Sequence, residues 1–279
     1  MNLLRRYPLS SFVLLAIAIS WAAAGAAQQV SPTAPYGTRF LLDTLAKFGP
    51  SLAGVVMMIV CRGGRETGRG LAAAMSPRVP IHWWLAALVG PWALWTVAVA
   101  NWQLVGGESL AINSAALLTF IPLLLWRFFL GGGLGEEIGW RGFMLPRLLE
   151  RRSPLVASLL VGLCWGVWHA PAFWGLADGK EGGAVMFVLF TVYTVALAVL
   201  FTLVWIRTGG SLMICCVLHA SLNATENWVK AVLPAVGDDA APTMIYAALI
   251  LLVAIAAAVV LRRESAGEES VPACAAVAD

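Results

Sequence analysis

The chain has 279 residues, of which 60% are hydrophobic and only 12% charged, and its mean hydropathy is +0.83. A soluble domain carries roughly twice that charged fraction, so no room is left for a soluble domain of ordinary size, and no nucleic-acid partner is expected. The net charge of +3 says little by its size and much by its placement.

Apolar segments follow one another along the chain. The first, Leu9 to Ala27, follows Arg5 and Arg6 and ends in "AAAGAAQQ", which imitates a signal-peptide cleavage site. Its apolar stretch is long for a signal core, so it reads as an uncleaved anchor. Phe40 to Cys61, Ile81 to Val105 and Ala111 to Leu130 come next. Leu155 to Leu176, Ala184 to Ile206, Ser211 to Leu233 and Thr243 to Leu261 complete the series. A run of about 20 apolar residues spans a bilayer as a helix. Lipid offers no partner to a free backbone N–H or C=O, so helices are the economical choice.

The expected fold is therefore all-α: a polytopic transmembrane bundle of about eight spans. It forms one integral membrane domain over residues 1–279, with a polar C-terminal tail over 264–279. The tail's "CAAVAD" imitates a prenylation box, but Cys274 stands too far from the terminus to be one. The other cysteines, Cys61, Cys164, Cys215 and Cys216, lie mostly in apolar runs without CxxC spacing. They support neither a disulfide framework nor a zinc knot.

Arginine placement sets the orientation. Arg5 and Arg6 precede the first span, and Arg62, Arg65, Arg69 and Arg78 lie between the second and third. Arg147, Arg151 and Arg152 precede the fifth, Arg207 follows the sixth, and Arg262 and Arg263 follow the eighth. The opposite side collects Arg39, Lys47, Lys180 and Lys230. The positive-inside rule puts both termini, and the connections after spans two, four and six, in the cytoplasm. Trp83, Trp84, Trp92, Trp95 and Trp102 read as belt and packing residues, and His82 beside them as interfacial.

A few ionisable or strongly polar side chains remain inside the apolar segments: Glu136, Glu137, Arg141, His169, His219 and Asn223. A charge at a helix centre costs roughly 2.5–3.5 kcal/mol on insertion scales, so such groups face a cavity or one another. Glu137 and Arg141 are four apart with the acid first, the favoured order for a helical ion pair. Glu136 lies about 100° around the helix from Glu137 and points elsewhere. His219 and Asn223 are four apart on one face. His169 stands just before Pro171, where helices kink or end. Measured from the arginine side, His169 is about 20 Å deep, His219 about 12 Å and Asn223 about 18 Å. Glu136 joins them if "GGGLG", Gly131 to Gly135, is a break within the bilayer, and the run from Ala111 to Leu149 is too long for one straight span. These residues alone are equally compatible with catalysis and with an ion or solute pathway.

Together they form "EEIGWR" at Glu136–Arg141, "WGVWH" at Trp165–His169 and "HASLN" at His219–Asn223. This set resembles the CPBP family, the CAAX proteases and bacteriocin-processing enzymes, also called Abi or type II CAAX prenyl endopeptidase-like proteins. Their pattern is EExxxR, FxxxH, then HxxxN or HxxxD on successive membrane helices. The resemblance covers roughly residues 120–228, the expected catalytic core. Trp165 departs from the family's usual phenylalanine, which leaves His169 intact and reshapes the pocket beside it.

The resemblance implies an intramembrane endopeptidase whose cavity opens to the cytoplasm, acting on a peptide or membrane-protein substrate. Its implied location is a bacterial cytoplasmic membrane. Glu136 would be the general base for the hydrolytic water, with His169 holding or polarising that water. His219 and Asn223 would stabilise the oxyanion, and Arg141 paired with Glu137 would orient the first motif. Glu136, His169 and His219 also make a plausible zinc set with an open position. HExxH is absent, however, and Asn223 suits an oxyanion donor better than a zinc ligand. The favoured mechanism is glutamate-based and needs no cofactor, with a divalent metal as the alternative. Neither a GxSG serine motif nor a GxGD aspartate motif is present. The competing reading is a non-enzymatic transporter or a bacteriocin-immunity or binding protein using the same polar cluster. Transporters often carry matched broken helices in two halves, and the single Gly-rich break here has no counterpart.

Overall fold

Each apolar run becomes a helix in the computed structural model, which describes residues 3–31, 33, 35–175 and 182–265. Lys180, Cys274 and the tail beyond Ser265 lie outside the described residues. Helix α1 spans Pro8–Gln28 and starts on a proline, whose missing N–H costs nothing in a first turn. Then come α2, Tyr36–Arg62, the short α3, Gly64–Ala74, which carries Arg65 and Arg69, and α4, Ile81–Leu104. A 3₁₀ turn at Ser114–Thr119 leads into α5, Phe120–Phe129.

Beyond α5 the chain breaks and restarts, in agreement with the glycine run. The N–H groups of Leu130 and Gly131 both close on the Trp126 carbonyl, which ends α5. Helix α6, Gly132–Gly139, then carries the paired glutamates. A π-helical turn at Trp140–Met144 joins it to α7, Leu145–Leu149. Such π turns recur at functional sites.

Helix α8, Pro154–Trp168, is capped by Ser153, whose hydroxyl accepts from the Val156 N–H. Helix α9, Gly183–Arg207, runs back, and α10, Leu212–Val232, begins on a Ser211 cap of the same kind. Helix α11, Ala240–Ser265, is the last. No strand occurs among the described residues.

By length and apolarity seven segments are able to cross a membrane: Pro8–Gln28, Gly37–Arg62, Ile81–Leu104, Ser114–Leu149, Pro154–Trp174, Gly183–Arg207 and Ala240–Arg263. The eighth expected span, α10, forms with 21 residues. It does not join the seven because His219, Asn223, Glu226, Asn227 and Lys230 dilute its apolar character. Those residues line a cavity rather than lipid.

Side-chain to backbone bonds show which helix ends lie together. Arg5 Nε donates to the Val60 carbonyl at 2.6 Å, placing the start of α1 beside the end of α2. Trp102 Nε1 donates to Asp239 at 2.8 Å, placing the end of α4 beside the start of α11. The Asn113 N–H reaches the Val232 carbonyl at the end of α10. The bundle thus has an arginine end, with Arg5, Arg62, Arg207 and Arg262, and a distal end around Leu104, Asn113, Val232 and Asp239.

Close helix approach depends on small residues, as is usual between membrane helices. A Cβ on Gly54 of α2 would meet the Gly139 backbone of α6 at 2.8 Å, and one on Gly162 of α8 would meet Val195 of α9 at 2.5 Å. Trp95 and Trp102 are buried in the bundle, which makes them packing residues, while His82 is exposed at the start of α4. Phe12 of α1 meets Trp140 edge-on and Phe143 at a tilt, tying the first helix to the π turn. Leu14, Leu52, Val89, Leu125, Val188 and Ile255 are exposed, forming an apolar outer face suited to lipid.

Candidate active site

The glycines of the first motif do more than break a helix. A Cβ on Gly132 would collide with the imidazole of His219, and one on Gly133 would press on the Cys216 carbonyl at 3.0 Å. One on Gly139 would collide with the Pro50 carbonyl. Glycine therefore lets α6 lie against α2 and α10 at backbone distance, which brings Glu136 and Glu137 beside His219. Gly135 and Gly139 form a GxxxG pair, the one signal in the sequence from which this close packing could have been read.

Four charged or ionisable groups meet there in the interior. Glu137 and Arg141 are fully buried, and Glu136 and His219 are each 5% exposed. Arg141 Nη1 donates to Glu137 Oε1 at 2.8 Å, the ion pair expected from the spacing. The same oxygen accepts from His219 Nδ1 at 2.6 Å. Glu137 is therefore shared between an arginine and a histidine and does not serve Arg141 alone. The guanidinium also lies over the rings of Phe201 at 4.1 Å and Trp165 at 4.6 Å, contacts that suit a desolvated cation.

Glu136 faces the other way. Its Oε2 accepts from the Trp165 indole N–H at 2.6 Å. Its Oε1 lies 3.8 Å from His219 Nε2, too far for a direct hydrogen bond. Trp165, which in the sequence is only a departure from phenylalanine, is thus a partner of the carboxylate. Nothing in the sequence pattern announces this, because phenylalanine would fill similar space without the N–H.

His169 caps the C-terminus of α8. Its Nδ1 lies 2.9 Å from the Trp165 carbonyl. A carbonyl can only accept, so Nδ1 carries the proton and Nε2 of the neutral ring is an acceptor. The ring packs edge-on against Trp168 and Phe190. Trp168 in turn donates to Ser20 of α1 at 2.7 Å, and Trp21 donates to the Trp168 carbonyl.

Glu136, His169, His219 and Asn223 all line one cavity of about 850 Å³, whereas Glu137 and Arg141 stand behind it. Its wall is mostly apolar, with Phe173, Phe190, Leu197 and Leu222 prominent. Asp43, Lys47, Arg127, Glu226 and Lys230 bring charge to it, with Lys230 and Glu226 paired at 2.7 Å. Among the described residues no group of three His, Cys, Asp or Glu side chains is arranged to hold a metal ion. Within the set Glu136, His169 and His219, Glu136 Oε2 accepts from Trp165, and the two histidines place Nδ1 on the Trp165 carbonyl and on Glu137.

The lining residues come from one half of the bundle. Most belong to the later parts of α1, α8 and α10 and to the earlier parts of α2, α9 and α11, the segments nearer the distal end, joined by Arg127 of α5 and Gly132 and Glu136 of α6. The cavity therefore opens away from the arginine end. The expectations that the arginine side is cytoplasmic and that the cavity opens to the cytoplasm cannot both hold.

An all-helical integral membrane protein with a carboxylate–histidine–arginine cluster at the floor of a cavity is the class that fold and site define. Residues 116–225 match the family model described as Type II CAAX prenyl endopeptidase Rce1-like, and this segment holds all three motifs. The chain is similar to "CAAX prenyl protease 2" of Methanococcus maripaludis, at 35% identity over 74 residues, 26% of this chain and 24% of the relative. It is also similar to "Lysostaphin resistance protein A" of Staphylococcus haemolyticus, at 22% identity over 188 residues, 67% of this chain and 49% of the relative. The matches thus span about a quarter and about half of the lengths of these relatives. Residues 116–225 thus resemble the Rce1-like family of CAAX proteases, and both relatives support that resemblance.

Proposed function

We propose that this protein is an intramembrane endopeptidase with Glu136 as general base. The observation that carries this reading is the Glu136 carboxylate at the cavity floor, held by Trp165 on one oxygen and presenting the other toward His219 Nε2. A 3.8 Å gap between polar atoms suits a bridging group rather than a direct bond. The hydrolytic water sits at Glu136 Oε1, and its second O–H, which stays on the oxygen, donates a hydrogen bond to His169 Nε2. Glu136 removes one proton as the water oxygen attacks the scissile carbonyl carbon, then delivers it to the leaving amine.

The oxyanion requires donors set in advance. His219 keeps Nδ1 on Glu137, which fixes its ring with Nε2 turned toward the place of the oxyanion. Asn223, one helical turn further along α10 on the same face, supplies a donor. Glu137 and Arg141 are positioning residues that act through His219.

No step here calls for a metal or other cofactor. The test is cleavage of a reporter peptide by purified protein before and after exhaustive chelation. Activity that survives metal stripping supports the glutamate mechanism. Activity that is lost and returns with added zinc overturns it in favour of a metallopeptidase.

Gly132 offers a second check. Gly132→Ala drives a methyl group into the His219 ring. A displacement near 1 Å at a catalytic group is expected to lower the rate by on the order of 10²-fold. Overpacking of this kind costs about 1–3 kcal/mol of stability. Rate and thermal unfolding of the detergent-solubilised variant read the two effects separately. An unchanged rate would remove His219 from the reaction.

A further inference from the structure

We infer that the cavity opens on the extracytoplasmic side of the membrane and takes extracytoplasmic segments of exported or membrane-anchored peptides as substrates. This rests on the endopeptidase reading for the word substrate, and on geometry and charge for the side.

The arginine end carries Arg5, Arg6, Arg62, Arg65, Arg69, Arg78, Arg151, Arg152, Arg207, Arg262 and Arg263, in short connections or immediately beside the helix ends. Among the described residues the distal half carries Arg39, Lys47 and Lys230 together with Arg127 on the cavity wall. Lys and Arg within short connections are the charges that set orientation, and this imbalance puts the arginine end in the cytoplasm. Most residues lining the large cavity lie in the distal halves of their helices, with Arg127, Glu136 and His219 deeper.

The opposite route is closed. Between the cavity floor and the arginine end lie the buried Glu137–Arg141 pair and the fully buried Trp140, Phe143 and Leu145. The crevice on that side, lined by Met58, Arg62, Arg141 and Trp205 among others, encloses only about 30 Å³. That is about the volume of one water molecule, whereas a peptide backbone needs the larger space. Access from the distal end agrees with the charge pattern there. Arg39–Asp43 and Lys230–Glu226 form two ion pairs, giving a polar approach above an apolar, aromatic wall. Such a path suits an extended peptide whose charged part stays in water while apolar side chains enter.

Cysteine accessibility tests the side without requiring catalysis. Asp43→Cys and Thr243→Cys place thiols on the cavity wall toward the distal end, and Ala72→Cys places one on the exposed α3 at the arginine end. Intact cells are treated with a membrane-impermeant maleimide, then permeabilised and treated again, with labelling of the unsubstituted chain subtracted. The expected result is labelling of positions 43 and 243 in intact cells and of position 72 only after permeabilisation. The reverse pattern overturns the inference. If no introduced thiol reacts, a green fluorescent protein fused after Asp279 decides: fluorescence, which needs the cytoplasm, supports the inference, and its absence in a fully expressed chain overturns it. A chain that labels as expected yet cleaves nothing would sink the endopeptidase reading and leave the orientation standing.

Discussion

Glu136→Gln is expected to lower peptide cleavage by about 10²–10⁴-fold, the usual contribution of a general base, while leaving the fold intact. The substitution is nearly isosteric, and the amide oxygen can still accept from the Trp165 indole that now bonds Oε2. A neutral amide at a site 5% exposed is also cheaper to bury than a carboxylate, so thermal unfolding should occur at the same temperature or higher. Loss of rate with retained stability separates chemistry from folding. The assay follows product formation by mass spectrometry, with helicity and unfolding monitored by circular dichroism. If the cluster instead served transport or peptide binding, neither chain would release a product, and Glu136→Gln would change only uptake or affinity. Cleavage by Glu136→Gln at the unaltered rate would remove the carboxylate from the mechanism.

Much of this arrangement is legible in the amino-acid sequence. Seven membrane-length segments follow from apolar length, and Glu137 with Arg141 follows from the i,i+4 rule because both partners sit on one short segment. The break at Leu130–Gly131 follows from a run too long for one span. Contacts between segments are not legible in the same way. Glu137 reaches His219 across 82 positions and Trp165 reaches Glu136 across 29, and helical periodicity says which residues share a face, not which faces meet. Gly132 reads as a helix breaker, yet its neighbour is an imidazole that no local rule supplies. The polarity of α10 has the look of a weak span and is the wall of a cavity. Motif order does not tell on which side the cavity opens, because motifs carry residue identity and not the end at which the helices spread apart.

The Glu137–Arg141–His219 cluster should respond unequally to loss of its members. Glu137→Leu leaves the Arg141 guanidinium, with no exposed surface, against the rings of Phe201 and Trp165 and without its carboxylate partner. Arginine cannot shed its charge, so the variant is expected to lose about 3–5 kcal/mol, as other broken buried ion pairs do. Arg141→Met removes the cation but leaves Glu137 its contact with His219 Nδ1 at 2.6 Å. Its expected cost is smaller, about 1.5–3 kcal/mol, the range for one hydrogen bond to a charged group. The double variant Glu137→Leu/Arg141→Met buries no uncompensated charge and should recover most of the stability, since apolar replacements of buried pairs are often neutral or stabilising. Its cleavage rate should stay low, because His219 has lost the acceptor that fixes its ring. A double-mutant cycle on unfolding in detergent, run beside the activity assay, reads both effects. Equal losses from the two single variants would mean that His219 does not support Glu137. Recovery of activity along with stability in the double variant would show that the pair orients nothing and serves folding alone.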